Sequence, residues 1–354
     1  MTELAVRAMG TSKEDLRLFR DCFNRNGSQR TDARLVWQYV ENPTGTVYVD
    51  LAVAGNRVAS IYASLPVRMR INGAVRLAIQ SLDTLTDVEY RGQGLFVRLA
   101  RSLFARATDE RVALVYGFPN GNSAHGFFKR LEWIPLDPVP FLIRPLRSRY
   151  VIKRLKLEAR APRLASVTAA LPDVRLPVAP PLVRGIAAVS AFDDRFTRLW
   201  DEVARGVGVA VERDAPYLTW RLTQKPEEYY RTLAVLRGDR VDGFVTFTVK
   251  DKHEGRIGYV MELLYRPGAH RVGWSLLQRA LREMGRDGAD VALAWCMGHS
   301  PNHLAYAASG FVTLPERMRP IELHMGVRGF DPALREVIGD RRRWYVSYLD
   351  SDTV

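Results

Sequence analysis

The sequence predicts a mixed α/β (α+β) protein made of two similar halves. Three observations predict it. A stretch near the N-terminus recurs in the second half, tight Gly turns separate β-rich runs, and one strand passes through a two-glycine turn into an amphipathic helix. Length agrees, since 354 residues at roughly 100–200 per domain make two domains.

The repeat is the strongest of these signals. The first copy reads Leu35-Val36-Trp37, then Pro43, then Leu51-Ala52-Val53-Ala54-Gly55-Asn56-Arg57-Val58. The second reads Leu218-Thr219-Trp220, then Pro226, then Leu233-Ala234-Val235-Leu236-Arg237-Gly238-Asp239-Arg240-Val241. Gly-Asn and Gly-Asp between such runs predict hairpins. Further on, Val112–Tyr116 matches Val291–Trp295, short apolar runs that suit buried strands. Each is followed by a polar loop and a short helix, ending near Trp133 and Phe311. The first domain is expected over 1–145, a basic proline-containing connector over 146–182, and the second domain over 183–354. Ser148–Ala165, poor in proline, is expected to form one helix. The closing run Trp344–Asp352 alternates like a last strand.

Composition narrows the function classes. No run approaches the ~18–20 apolar residues of a membrane span, and the N-terminus lacks a signal-peptide pattern. Cys22 and Cys296 form neither a disulfide framework nor a metal-ligand spacing, so no metal is expected. A reduced, cytoplasmic protein is the expectation. Lys and Arg total 52 against 39 Asp and Glu, a net charge of +13, which favours phosphate-rich partners. Part of that excess lies in 144–163, where Glu158 is the one acid.

The chemistry concentrates at Thr84–Phe104. Its first part alternates as a strand, and Leu95, Leu99 and Leu103 define a helical face. Between them lies Tyr90-Arg91-Gly92-Gln93-Gly94. Two glycines let successive amides converge, and the helix that follows adds its positive end, a combination that cradles a pyrophosphate.

This turn resembles motif A of the GNAT superfamily of acyl-CoA N-acyltransferases, with Arg91 and Gly94 at matching positions and Phe96 in place of a small residue. The resemblance implies two tandem GNAT-like domains. It also implies an acyl-CoA donor, acetyl-CoA or a longer acyl-CoA. The donor would bind along Leu85, Thr86 and Val88 and in the turn at Arg91, Gly92, Gln93, Gly94, Leu95 and Phe96. Asn120 and Asn122 would lie near the pantetheine arm. The tyrosine that often protonates the departing thiolate in that superfamily is Phe128 here. The second half reads Arg271-Val272-Gly273-Trp274 where the cradle is expected, so a single donor site is expected, with the second half shaping an acceptor pocket.

Acyl transfer to an amine requires a group that removes a proton from the attacking nitrogen. Asp83, on the strand ahead of the cradle, is the first candidate, since a carboxylate on an apolar strand needs a reason to be there. His125 is the second, and the terminal acids Asp350 and Asp352 complete the set. The expected acceptor is a small amine, best an amino sugar, free or nucleotide-linked. The competing readings are an aminoacyl-tRNA-dependent transferase with the same tandem fold and a non-catalytic binding module. The cradle argues against the first, and nucleic acid is not an expected partner.

Overall fold

In a computed structural model, the structure describes residues 4–150, 173–252, 255–316, 319 and 321–351. The greater part of the expected helix 148–165 and Asp352 lie outside them. The chain forms two compact units. One comprises Met1–Val139, Val207–Glu228 and Ile321–Trp344, the other Pro140–Gly206, Tyr229–Pro320 and Tyr345–Val354. Each is built on a mixed sheet.

The first unit begins with β1 (Ala5–Ala8) and α1 (Lys13–Arg25). Ser12 caps α1 by accepting from the Asp15 amide, and Leu16, Phe19, Cys22 and Phe23 form its buried face. Next come α2 (Asp32–Leu35) and a π-helical turn, Val36–Val40. The meander β2 (Tyr48–Ala54), β3 (Arg57–Ile71) and β4 (Ala74–Thr86) follows. Gly55 turns β2 into β3 with φ of +57°, the hairpin that Gly-Asn predicts. The crossover helix α3 (Leu95–Asp109) leads to β5 (Leu114–Gly117), which pairs parallel to β4. Leu95, Leu99, Leu103 and Phe104 pack α3 on Tyr62, Ile79 and Val115 of the sheet. Then come α4 (Gly121–His125), the π turn Gly126–Arg130 and β6 (Ile134–Pro135).

The second unit has a similar meander and crossover helix. It contains β7 (Phe141–Pro145), β8 (Ile186–Val189) and α5 (Asp194–Ala204). The short β9 (Val209–Val211), α6 (Ala215–Leu218) and the π turn Thr219–Thr223 belong to the first unit, where β9 pairs with β3. A second meander runs β10 (Arg231–Arg237), β11 (Arg240–Lys252), β12 (Gly255–Tyr265), with Gly238 at φ +60° in its first turn. Its crossover helix α7 (His270–Arg286) leads to β13 (Val291–Trp295), parallel to β12. α8 (His303–Ala308), β14 (Val312–Thr313) and β15 (Gly326–Gly329) follow.

The last strands are exchanged. β15 pairs between β5 and β6 in the first unit's sheet, and β7 lies between β13 and β14 in the second's. Each sheet thus takes a strand from the other half of the repeat.

The closing run corrects the expected last strand. Trp344 makes an isolated bridge to Val209, and the described part of the run continues into a 3₁₀ turn, Tyr348–Asp350. Ser347 caps that turn while Asp350 accepts from the Ser347 amide at 2.9 Å, a reciprocal capping box. Local capping and burial override the alternating pattern.

Candidate active site

In the first unit β4 and β5 are paired at Ile79–Val115, Gln80–Tyr116 and Ser81–Gly117. Past Ser81, β4 runs on alone on that side, and β5 ends. Its pairing with β3 slips at the same place: Ala63 faces Leu82 and Ile61 faces Leu85, so Asp83 and Thr84 form a bulge against Tyr62. The strands therefore part at their carboxyl ends, where α/β sheets open a ligand crevice.

The turn beyond β4 carries two positive-φ glycines and leads into α3. Asp87 holds its base: the side chain accepts from the Glu89 amide at 3.2 Å and from Arg57 at 2.9 Å. Burial on its own would raise the Asp87 carboxyl, yet these donors and the nearby guanidinium charges hold it below the ordinary value. Gly92 and Gly94 both have positive φ, +79° and +72°, and a Cβ at either would meet nothing within 4 Å. Glycine is needed there for its backbone conformation, not for local packing. Arg91 to Gly94 are exposed, and α3 begins at Gly94 without a side-chain cap. No side chain caps its first-turn amides, the arrangement that receives an anion.

The other expected donor-site residues surround this turn. Thr86 and Leu85 end β4, where the Ser60 hydroxyl bonds the Leu85 carbonyl and lies 2.9 Å from the Thr86 hydroxyl. Val88 is exposed in the 3₁₀ turn after them. Leu95 is buried under α3. Phe96 turns inward, with its ring 5.2 Å from Phe127 and 5.6 Å from Tyr62, and a Cβ on Gly126 would meet it at 2.8 Å. It fastens α3 to the π turn instead of crowding the cradle. Asn120 caps α4 by accepting from the Ser123 amide at 3.1 Å, and Asn122 and His125 are exposed on that short helix.

Asp83 lies in the bulge with φ of +48° and its side chain nearly enclosed, 4% exposed. Its oxygens accept from Arg30 at 2.5 Å, Gln38 at 2.9 Å and Tyr39 at 3.3 Å. The acid ties the α1–α2 loop and the first π turn to the end of β4. Asp350 is buried in the second unit as a capping residue.

The second unit has the corresponding frame but a different interior. The cradle equivalent is not Arg271–Trp274, which lies inside α7, but the preceding Arg266-Pro267-Gly268-Ala269. Only Gly268 has positive φ there, Ala269 stands at the helix cap, Pro267 has no amide to offer, and Arg266 is paired with Glu202. Strands β12 and β13 are paired through Val260–Ala294, and the space beyond is taken by the chain's closing residues. Glu262, fully buried beside the bulge on β12, accepts from the Tyr345 and Ser347 hydroxyls, and Tyr348 stacks on Trp295 at 4.7 Å and meets Tyr259 edge-on at 5.4 Å. The crevice of this unit is filled from within.

A group that the sequence reading did not single out lies beside the end of β5. Gly326 of β15 faces Gly117, and two residues earlier the His324 amide bonds the Pro119 carbonyl at 2.9 Å. The imidazole Nδ1 is 2.7 Å from Asp137 Oδ2 and Nε2 is 3.1 Å from Glu322 Oε1. The exchanged strand brings His324 there across 187 residues of chain, so no local motif announces it.

With this geometry in place, the comparisons with known proteins agree. The sequence profile of the family described as "Acetyltransferase (GNAT) domain" matches residues 8–135. No curated protein matches the sequence. Among solved structures, Saccharomyces cerevisiae N-myristoyltransferase with bound myristoyl-CoA is similar with a TM-score of 0.58 and 13% identity, over 92% of this chain and 83% of that one. A conserved protein of unknown function from Enterococcus faecalis V583, described as a probable N-acyltransferase, gives 0.61 and 14%, over 93% and 73%. A GCN5-related N-acetyltransferase from Anabaena variabilis gives 0.61 and 11%, over 92% and 73%. At these identities the likeness establishes the fold. Residues 8–135 thus match the GNAT acetyltransferase domain profile, and the chain shares its fold with the three solved proteins.

Proposed function

We propose that the protein is an acyl-CoA-dependent N-acyltransferase of two tandem GNAT copies, with one donor site, in the N-terminal copy. The observation that carries this reading is the turn Arg91–Gly94. It joins two positive-φ glycines to an uncapped helix N-terminus directly beyond the point where β4 and β5 part. That arrangement suits a pyrophosphate in the turn with its thioester arm in the crevice. When bound, acyl-CoA supplies an activated thioester. The chain's own contribution is to bind the phosphates, hold the arm beside the unpaired stretch of β4, and offer backbone amides to the acyl oxygen. The filled crevice and altered turn of the second unit support a single site.

For the acceptor we infer a small primary amine, best an amino sugar, free or nucleotide-linked. The net charge of +13 suits an acceptor that carries phosphate. Because one structural neighbour holds myristoyl-CoA, the donor test includes long chains. Isothermal titration with acetyl-, octanoyl- and myristoyl-CoA is the first measurement, followed by assay of thiol release with free and nucleotide-linked amino sugars. Micromolar binding of at least one acyl-CoA is the expected result. Absence of binding by all three sinks the donor reading, and donor binding without transfer to any sugar sinks the acceptor.

A further inference from the structure

The groups that can handle a proton near the crevice differ in how far they are committed. Asp83 has three side-chain donors on its two oxygens. Asp87 is held by Arg57 and by the Glu89 amide. Phe128, on the π turn after α4, has no proton to give. His324 is different. Its ring meets Phe128 edge-on at 5.9 Å and keeps 29% of its surface open. Asp137 is fixed from two sides, since its Oδ1 accepts from the Met325 amide at 2.8 Å while Oδ2 takes the imidazole. Arg341 anchors the same loop through the Leu136 and Pro138 carbonyls. A carboxylate held in this way fixes the ring and its tautomer, with Nδ1–H donating to Asp137 and Nε2 left as the working nitrogen. Its partner Glu322 is 71% exposed on a flexible side chain and can yield its place.

Resting on the acyl-CoA reading, we propose that His324, oriented by Asp137, is the proton-transfer residue of this site. The amine nitrogen's lone pair forms the new C–N bond as the thioester C–S bond breaks. The proton of that nitrogen passes to Nε2 of neutral His324, and the imidazolium returns it to the departing sulfur. The products are an amide and a free thiol, with no other reactant. An acceptor that arrives as an ammonium ion also finds Glu322 and Asp137, two acids at this corner of a basic protein, and releases its extra proton to solvent before its lone pair attacks.

The electrostatics fit the role. Partial burial alone would lower the imidazole's pKa, but the hydrogen bonds to Asp137 and Glu322 and their negative charge outweigh it, and the net direction is upward. Arg341 interacts with the Asp137 charge, Phe128 is uncharged, and Lys129 and Arg130 on the same turn are exposed. The base form therefore grows in at a higher pH than for an unperturbed imidazole, and the rate should rise with pH on that limb.

The test uses the full chain, acetyl-CoA and the primary amine that gives the wild type its fastest thiol release from a panel of amino sugars, lysine and polyamines. His324→Gln should bind acetyl-CoA within twofold of wild type, lose roughly 100-fold or more in rate at pH 7, and lose the rising limb. Asp137→Asn removes a neighbouring anion, so its limb should move to lower pH, a readout that a merely structural role would not shift. A His324→Gln protein that binds acetyl-CoA and keeps both its rate and its limb overturns the proposal while leaving the acyl-CoA reading intact. A wild type that binds no acetyl-CoA overturns that reading and this one with it.

Discussion

Trp37 and Trp220 donate their indole N–H groups to each other's backbone carbonyls, at 2.8 and 2.9 Å. Their rings stack 4.4 Å apart with 9° between the planes. The two residues hold equivalent places in the sequence repeat, each in a π turn of the first unit, and both are buried. The contact therefore has local two-fold symmetry, and the same side chain serves both sides. The π turns matter because the extra residue per turn moves a carbonyl off the regular helical ladder and makes it available to a side-chain donor.

The exchange predicts symmetric losses. Trp37→Phe and Trp220→Phe each remove one indole donor from a buried carbonyl, which costs about 1–3 kcal/mol. The double variant should cost less than the two together, because each single change already disturbs the shared stack. Urea unfolding of the three proteins measures this. Single losses below about 0.5 kcal/mol, the scale of an ordinary surface change, would show that the pair is packing without specific bonding.

Gly94 predicts a separation of binding from folding. Its φ of +72° is disfavoured for a β-branched residue, so Gly94→Val should cost about 1–2 kcal/mol of stability. Gly55→Val, at φ +57° in the β2–β3 turn, is the matched control, since it bears the same kind of backbone cost away from the cradle. Only the Gly94 variant should weaken acyl-CoA binding, by roughly tenfold or more, because under the proposed donor site only there would a side chain intrude where phosphates approach the backbone. Equal acyl-CoA affinity in the two folded variants would remove the cradle assignment.

The second unit predicts a stoichiometry. With Pro267 and Ala269 in the turn and Tyr345, Ser347 and Tyr348 in the crevice, acyl-CoA should titrate to one equivalent per chain. Tyr348→Ala should lower stability, as loss of a fully buried aromatic does, by about 3–5 kcal/mol, without adding a second binding event. Two equivalents per chain in the wild type would show that the closing residues leave this crevice.

Much of this was legible in the sequence because it is local. The hairpins announce themselves through Gly55-Asn56 and Gly238-Asp239, and the turn between β4 and α3 through Gly92 and Gly94, since a positive φ calls for glycine wherever it occurs. The length of the second turn was not, because Arg271-Val272-Gly273 imitates Arg91-Gly92 while sitting in the first turn of α7. There Gly273 serves close packing, as its Cβ would strike the Tyr265 ring at 2.3 Å. The strand exchange has no local signature either. Phe141-Leu142-Ile143 suits either sheet, and only long-range pairing decides which one it joins. For the same reason the His324–Asp137 pair could not be read from spacing.

The last prediction concerns Asp83, the acid that the sequence offers first as a base. Its carboxylate is enclosed and engaged by Arg30, Gln38 and Tyr39, and it holds two separate segments, the α1–α2 loop and the first π turn, against the bulge. Asp83→Asn would leave Arg30 without its anion and turn one acceptor oxygen into a donor that faces other donors. With Arg30 itself 29% exposed, solvent recovers part of the loss, so the expected cost is about 1–3 kcal/mol, below that of a fully buried pair. Arg30→Gln in the same chain should recover part of it, because the mismatch is relieved from the other side. The rate should fall only as far as the loosened bulge weakens the grip on the acyl group, and the rising limb of the pH–rate profile should remain where the wild type has it. A base behaves in the opposite way: its removal leaves stability nearly untouched and abolishes the limb. Measuring unfolding free energy and the pH–rate profile on the same Asp83→Asn protein therefore decides between them. A stable variant without the limb would return the role of base to Asp83.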